Sequence, residues 1–301
     1  MKTVTVIITT YNAEKTIRRA LDSLVTQHGC NEQFLLEVIV VDDCSTDSTI
    51  EIAGQYPVKI LSTGKNSGGP NRGRNLGLQQ ASGNYICLMD HDDEWFPHRV
   101  ESQLRWTAEA PIVTCGYTIA DKNGNENIRS ASHPDGYRTF ATNETFRDKL
   151  ARRNDRQNCY LGTILFDSKL KNILFEEEYG QLDWDWILRL FHQNPTVEVC
   201  QSLYRRHVDG ANLSLDRNYR LRDYQFAIRL LNQYQVDYPT ETGLGRKRVN
   251  GTLARYFYLT GEMKEARKYF LKSACNLKTI LFYLTTFAGH SYIRRKFHFF
   301  G

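Results

Sequence analysis

Two kinds of hydrophobic pattern alternate near the start of the chain. Val4-Thr5-Val6-Ile7-Ile8 is a short, almost uninterrupted apolar run, and residues 34–41 form a second, broken only by the charge of Glu37. Runs of this length without polar alternation predict strands covered on both faces. Residues 58–61 and 85–89 repeat the signal. Between the runs, apolar residues recur at helical spacing. Ile17, Ala20, Leu21, Leu24 and Val25 predict a helix within 13–27, while Ile50, Ile52 and Ala53 predict another, opened by Ser45, Thr46 or Asp47 as N-cap. Residues 65–73 read as a glycine-rich loop and 74–81 as the helix after it. This alternation predicts an α/β fold with a mostly parallel central sheet flanked by helices. In such sheets ligands sit outside the carboxyl ends of the strands. The polar clusters at 9–12, 42–43, 66–75 and 90–93 all fall there.

The pattern loosens after Pro111. Residues 112–120 predict a strand, 121–125 a turn, and 162–166 another strand, but 121–160 is polar and aromatic with no clear period. Trp184, Ile187, Leu188 and Phe191 stand at core spacing in a helix over 183–191. From about 215 onward the chain reads helical, over 219–234, 246–260 and 263–274, with Gly261 as a turn.

Composition narrows the classes. The chain has 301 residues, 41% hydrophobic and 24% charged, as globular proteins do. Its net charge of +5 permits phosphate-bearing ligands without arguing for nucleic acid. Seven cysteines are scattered singly with no CxxC pair, which disfavours a zinc site or a disulfide framework and fits a reducing cytoplasm. No apolar run reaches bilayer length, and Met1-Lys2-Thr3-Val4 leads directly into the first strand pattern without a signal-peptide core.

The candidate chemistry lies at the strand ends. In Asp90-His91-Asp92-Asp93, carboxylates two apart can converge on one hard cation that also binds substrate phosphates. The competing reading is an acidic turn in which Asp93 or Glu94 caps the next helix. Asp43 can hydrogen-bond a base or ribose, whereas Asp42 or Asp47 can serve as a cap. The segment 66–75 lacks the order of a P-loop. Its glycines permit close backbone approach, and Arg74 suits a phosphate or a base. Asp183, flanked by Trp184 and Trp186 around Asp185, reads either as a general base or as a helix N-cap. His207 reads as a ligand or as a structural hydrogen-bonder.

Together these segments form a resemblance. Val4-Thr5-Val6-Ile7-Ile8-Thr9-Thr10-Tyr11-Asn12, Val40-Val41-Asp42-Asp43-Cys44-Ser45-Thr46-Asp47, Arg74-Asn75-Leu76-Gly77 and Asp90-His91-Asp92-Asp93 resemble, in order and spacing, the inverting family-2 glycosyltransferases with a GT-A fold. Asp183-Trp184-Asp185-Trp186 is similar to the later acidic motif of that family, and Tyr204-Arg205-Arg206-His207 to the segment closing its catalytic domain. The resemblance implies a catalytic domain over 1–214, with a nucleotide-binding half to about 110 and an acceptor half from 111, and a helical region over 215–301. It implies donor contacts from Thr10, Tyr11, Asn12, Asp43, Asn66, Arg74, Asp90 and His91. Asp92 and His207 would hold a divalent metal, Mn²⁺ or Mg²⁺, and Asp183 would be the base. Cys44 stands where glycine is common, and Leu182 where an acidic residue is common, which keeps Asp185 in view as the base.

The implied reaction moves a sugar from a nucleotide-diphosphate donor, usually of UDP, to a hydroxyl of a glycan or lipid-linked glycan, as in bacterial polysaccharide biosynthesis. The alternatives are a nucleotide-sugar-binding protein without catalysis and a nucleotidyltransferase. At the C-terminal end, Leu277, Ile280, Leu281 and Leu284 precede Arg294-Arg295-Lys296-Phe297-His298-Phe299-Phe300. This basic-aromatic mixture suits peripheral contact with an anionic membrane surface, or else a packed terminal helix or a dimer contact.

Overall fold

A computed structural model of the chain describes residues 1–133, 135–153, 156–178, 183–208 and 217–288. The chain forms two compact units, residues 1–146 with 155–211, and residues 147–154 with 212–301.

The first unit opens with β1 (Lys2–Thr10), α1 (Ile17–Val25), β2 (Phe34–Asp42), α2 (Thr49–Ala53), β3 (Lys59–Ser62), α3 (Pro70–Gln80) and β4 (Tyr85–Asp90). It continues with β5 (Glu94–Trp95), α4 (Arg99–Leu104), β6 (Ile112–Asp121), β7 (Glu126–Arg129) and β8 (Tyr137–Phe140). The chain passes to the second unit within α5 (Glu144–Leu150) and returns for β9 (Leu165–Asp167), α6 (Trp184–Phe191) and β10 (Thr196–Val208). One sheet runs in the order β3-β2-β1-β4-β9-β6-β10-β5, with β7 added to β6 and β8 to β10.

The half around β1 is parallel. Its register sets Thr10 opposite Asp42, Thr9 opposite Asp90, and Asp42 opposite Ser62, so the carboxyl ends of four strands finish level. The other half is mixed, because β9 lies antiparallel to both β4 and β6, while β6 and β10 are parallel. Val4, Val6 and Ile8 bury one face of β1 in a cluster with Ile17, Leu21 and Leu24 of α1. On α3, Gly77 meets β1: a Cβ there would stand 2.3 Å from Ile7 Cγ2, so only glycine lets the helix lie this close.

Several boundaries differ from the sequence expectation. The helix expected from 74 begins at Pro70, whose fixed φ and missing N–H suit a first helical position, so Asn71, Arg72 and Gly73 belong to its first turn. The stretch without period contains the β6–β7 hairpin, β8 and α5. The longest strand, β10, has its only clear signal in the alternation of Thr196-Val197-Glu198-Val199, with both valines buried.

The second unit contains α7 (Arg217–Gln233), α8 (Pro239–Thr260), α9 (Met263–Phe270) and α10 (Leu277–Thr285). Leu253, Ala254, Phe257 and Tyr258 of α8 pack with Ala266 and Phe270 of α9 and Phe282 of α10. Gly261 ends α8 at φ +88°, and its N–H donates to Phe257 O and Tyr258 O. Leu277, Ile280, Leu281 and Leu284 remain exposed along α10. Among the described residues no helix is long and apolar enough to cross a membrane. The basic-aromatic run 294–300 lies outside the described residues.

Candidate active site

The level strand ends carry most of the residues singled out from sequence. Thr10 closes β1, is 2% exposed, and leaves its buried Oγ1 without a hydrogen-bond partner among the described residues. Such a group is costly to keep unmet, which marks this strand end as a place where a ligand donor would be welcome. Tyr11 projects with 47% of its surface exposed. Asn12 takes φ +47°; its N–H donates to Ser45 Oγ and its Oδ1 accepts from Thr46 N, which ties the β1 end to the β2 end.

Asp42 accepts from Ser45 N and Oγ and shapes the turn, in which Cys44 adopts φ +68°. That left-handed conformation explains why glycine would be the easier residue there. The Asp43 carboxylate is buried and accepts from Thr63 Oγ1 at 2.7 Å and from Ser67 N at 2.9 Å, so it orders the loop after β3. Asn66 lies exposed on that loop, its Oδ1 accepting from Gly68 N.

Arg74 connects this loop end to β4. It is 7% exposed, donates through Nη1 to Asn71 Oδ1 at 3.2 Å and through Nη2 to Asp90 Oδ1 at 3.1 Å, and lies 5.3 Å from the Phe175 ring. The other Asp90 oxygen accepts from Tyr160 OH at 3.2 Å. His91 Nδ1 sits 3.1 Å from Thr16 Oγ1, and the Asp92 carbonyl accepts from Arg19 Nη2.

Asp93 is not the helix cap that sequence allowed. It is buried, accepts from Tyr204 OH at 2.6 Å, from Tyr160 OH at 3.3 Å and from His207 N at 2.9 Å, and so joins β4 to β10. Burial first, then the charges of Asp90 and Asp92, push its pKa up to about 8 against the opposing bonds from Tyr204 and His207. Burial first, then the charges of Asp90 and Asp93, hold the Tyr160 and Tyr204 hydroxyls well above their ordinary pKa, which keeps both as donors. Glu94 likewise caps nothing; it sits in β5 within 3.3 Å of Arg19, Arg205 and His207.

The His207 ring thus faces Glu94, with Nε2 3.3 Å from its carboxylate, and Asp93 holds the backbone N–H of the same residue. Among the described residues no three His, Cys, Asp or Glu side chains gather as a metal cage. Asp90 and Asp92 nevertheless offer hard oxygen donors, and their field is strong enough to raise Asp93. This fits a cation such as Mg²⁺ or Mn²⁺ that takes one or two carboxylates and shares the rest of its shell with phosphates.

Asp183 stands at the N-terminal end of α6, half-buried, and does not cap that helix with its side chain. Asp185 is committed elsewhere: Arg189 donates to its Oδ2 from Nε at 2.8 Å and from Nη2, while the same Nη2 also holds Leu174 O. Helix α6 is coupled to the strand ends. Trp186 stacks on Phe175 with ring centroids 4.5 Å apart, and its Nε1 donates to Ile173 O. Asn75 of α3 grips Phe175 at both backbone N and O. The ring beneath Arg74 is therefore the ring that packs against the Asp183 helix.

Residues 5–173 match the family model described as glycosyl transferase family 2. The chain belongs to that family. Its relatives include the poly(ribitol-phosphate) beta-N-acetylglucosaminyltransferase TarS of Staphylococcus aureus, 45% identical over 92 residues that cover 29% of this chain and 16% of TarS. Solved structures share the fold. TarS residues 1–349 in complex with UDP-GlcNAc align over 98% of this chain and 92% of that one, with TM-score 0.58 and 20% identity. The mannosyltransferase PcManGT of Pyrobaculum calidifontis, in complex with GDP-Man and Mn²⁺, aligns over 95% and 79%, with TM-score 0.57 and 17% identity.

Sequence reasoning passed over Tyr160 and Phe175 of this glycosyltransferase and quoted Tyr204 only within Tyr204-Arg205-Arg206-His207, with no role of its own. Tyr160 and Phe175 are single aromatics in segments of weak pattern, recognisable only once folding brings them to Asp90 and Arg74.

Proposed function

We propose that this glycosyltransferase transfers a sugar from a nucleotide diphosphate, of the UDP class, to a hydroxyl of a glycan or lipid-linked glycan, with inversion at the anomeric carbon. The observation that carries the reading is the coupling of Arg74 to Asp90 on one side and, through Phe175 and Trp186, to the helix of Asp183 on the other. It supports one constellation of donor-facing cation, carboxylate pair and base within the first unit, for which we assign residues 1–214 as the catalytic region.

Arg74 supplies a planar cation suited to phosphate oxygens. Asp183 accepts the proton of the attacking hydroxyl, and Asp185, neutralised by Arg189, leaves that role to its neighbour. Asp92, with Asp90 beside it, would hold a divalent cation together with the donor phosphates; when bound, that ion supplies charge stabilisation to the leaving diphosphate. Tyr160 and Tyr204 keep the carboxylate cluster fixed while charge moves, so the surroundings need little reorganisation. TarS is a poly(ribitol-phosphate) beta-N-acetylglucosaminyltransferase, which supports a polymeric polyol or glycan acceptor here. For the setting we propose the cytoplasm, with peripheral contact between the exposed apolar stripe of α10, the basic run after it and an anionic membrane surface.

Release of the nucleoside diphosphate across a panel of nucleotide sugars, with Mn²⁺ or Mg²⁺ and with chelator, tests the reaction. Metal-dependent release from one donor supports it, and pyrophosphate as product overturns it. Flotation with anionic against neutral vesicles tests the setting; equal recovery with both overturns the membrane contact.

A further inference from the structure

The helical unit contains a concavity that the proposed transfer does not use. A cavity of about 470 Å³ opens among the turn after α5, helices α7 and α8, and the start of α10. Arg152, Arg220, Lys247, Arg248 and Arg255 line it against a single carboxylate, Asp223. Asp223 lies 3.9 Å from Arg220, so the lining keeps an excess of four positive charges. Burial lowers the pKa of Arg255, as expected of a guanidinium drawn from water with no acidic neighbour among the described residues to offset the loss. Cations on a solvated face spread into water; cations gathered around a concavity repel one another and create a potential that an anion relieves. Gly251 helps to shape the floor, since a Cβ there would stand 3.4 Å from Ser273 Cβ and 3.8 Å from Arg255 Nη1.

The neutral groups of the lining narrow the ligand further. Thr252 Oγ1 donates its hydrogen to Arg248 O, and Ser273 Oγ donates to Phe270 O. With their hydrogens engaged, both hydroxyls present lone pairs, one of those on Thr252 already taken at 3.4 Å by Arg255 Nη2, and the others suit ligand hydroxyl donors better than bare phosphate oxygens. Thr279 and Asn276, at the start of α10, extend the polar wall. The cavity also exceeds what a lone phosphate would fill.

We propose that this cavity is a second ligand site, in the helical unit, for a phosphate ester of a small polyol. The cations take the phosphate, and the hydroxyls of Thr252 and Ser273 accept from the polyol. The same chemistry could arrive as a soluble ester or as the headgroup of a polyol phospholipid, and the two differ in what they carry beyond the cavity.

The test uses the full chain, titrated calorimetrically with glycerol 3-phosphate, inorganic phosphate and glycerol, with and without saturating UDP. Expected is one-site binding of glycerol 3-phosphate, tighter than that of inorganic phosphate, undetectable with glycerol and unchanged by UDP. Lys247→Gln and Arg255→Gln should each weaken it at least about tenfold, the loss of a charge-assisted hydrogen bond, while Arg255→Lys restores part of it. Circular dichroism and melting temperature confirm that each variant folds. A parallel arm floats the chain with phosphatidylglycerol vesicles. Flotation that the Arg255→Gln variant loses identifies a lipid headgroup, and glycerol 3-phosphate binding with flotation absent, or unchanged in that variant because α10 and the basic run carry it, identifies a soluble ester. Displacement by UDP, an affinity that neither Gln variant alters, or no binding at all overturns the proposal.

Discussion

Replacing Asp183 with Asn separates catalysis from binding. The substitution keeps shape and removes the basic oxygen, so the loss should equal the contribution of general-base assistance, about 10²–10⁴-fold in kcat or roughly 3–5 kcal/mol of barrier. The structure argues against rescue by the next carboxylate. Asp185 is two residues away, but Arg189 binds it through two nitrogens and uses one of them to hold Leu174 O as well, so freeing Asp185 would break a half-buried ion pair. The proposed donor residues stand on the ends of β1, β2 and β4, the loop after β3 and α3, none of which carries the substitution. The expected result is a donor affinity within about twofold of the parent with turnover nearly abolished, measured by titration calorimetry and by nucleoside diphosphate release with acceptor present. Asp185→Asn is the control: about 1–2 kcal/mol less stable, since Arg189 loses its partner near the surface, yet with turnover within about tenfold. A folded Asp185→Asn protein that loses as much turnover as Asp183→Asn, or an Asp183→Asn protein that turns over normally while binding donor poorly, would refute the assignment.

Chelation should abolish turnover, and Asp92→Asn should raise the Mn²⁺ concentration needed for half-maximal rate at least about tenfold; a metal titration that superimposes on the parent's would exclude Asp92 as the ligand. Gly77→Ala places a Cβ 2.3 Å from Ile7 Cγ2 and should cost about 1–3 kcal/mol in urea denaturation by pushing α3 off β1; unchanged stability would show that the contact yields easily. Glu37 presents a titration test of stability. Partial burial raises its pKa, but bonds from Thr5, Ser82 and Gly83 outweigh that and hold it below 4.5. A carboxyl with a depressed folded pKa stabilises the fold above its unfolded pKa and loses that contribution as pH falls through the folded value. Glu37→Gln should therefore be about 1 kcal/mol less stable at pH 7, with the gap to the parent closing as pH falls through the folded value; a gap independent of pH would refute this.

Pattern alone revealed the parallel half of the sheet because β1, β4 and the second half of β2 are largely buried on both faces and so run mostly apolar. The level ends followed from the same fact, since polar residues can resume only where burial stops. The mixed half hid for the converse reason. In β7 every residue is exposed, β8 buries only Phe140, and β9 is three residues long, so none carries a period long enough to read. Helix α3 was missed over its first turn because Pro70-Asn71-Arg72-Gly73 reads as loop, while the buried Asn71 is held by hydrogen bonds with Glu176 O and Arg74 rather than packed by apolar contact. A pattern of hydrophobicity cannot register burial that hydrogen bonds sustain.

The same distinction divides the candidate donor residues by what each is able to do. Asp43 and Arg74 are almost wholly covered, and both are bonded to protein groups: Asp43 to Thr63 and Ser67, Arg74 to Asn71 and Asp90. A nucleotide is too large to be gripped mainly by side chains with so little open surface. Tyr11 and Asn66 are exposed, and Asp43 fixes where the loop of Asn66 stands through Ser67. Asp43 sets the loop that carries Asn66, and Arg74 holds the carboxylate of Asp90, which stands opposite Thr9. Because these bonds already hold, binding a donor would order few side chains, and more of the contact energy would be retained as affinity. Substitutions at Asp43 should consequently act through loop position and disturb donor affinity more than loss of a single contact would, whereas truncating Tyr11 should remove only the contact that Tyr11 itself makes.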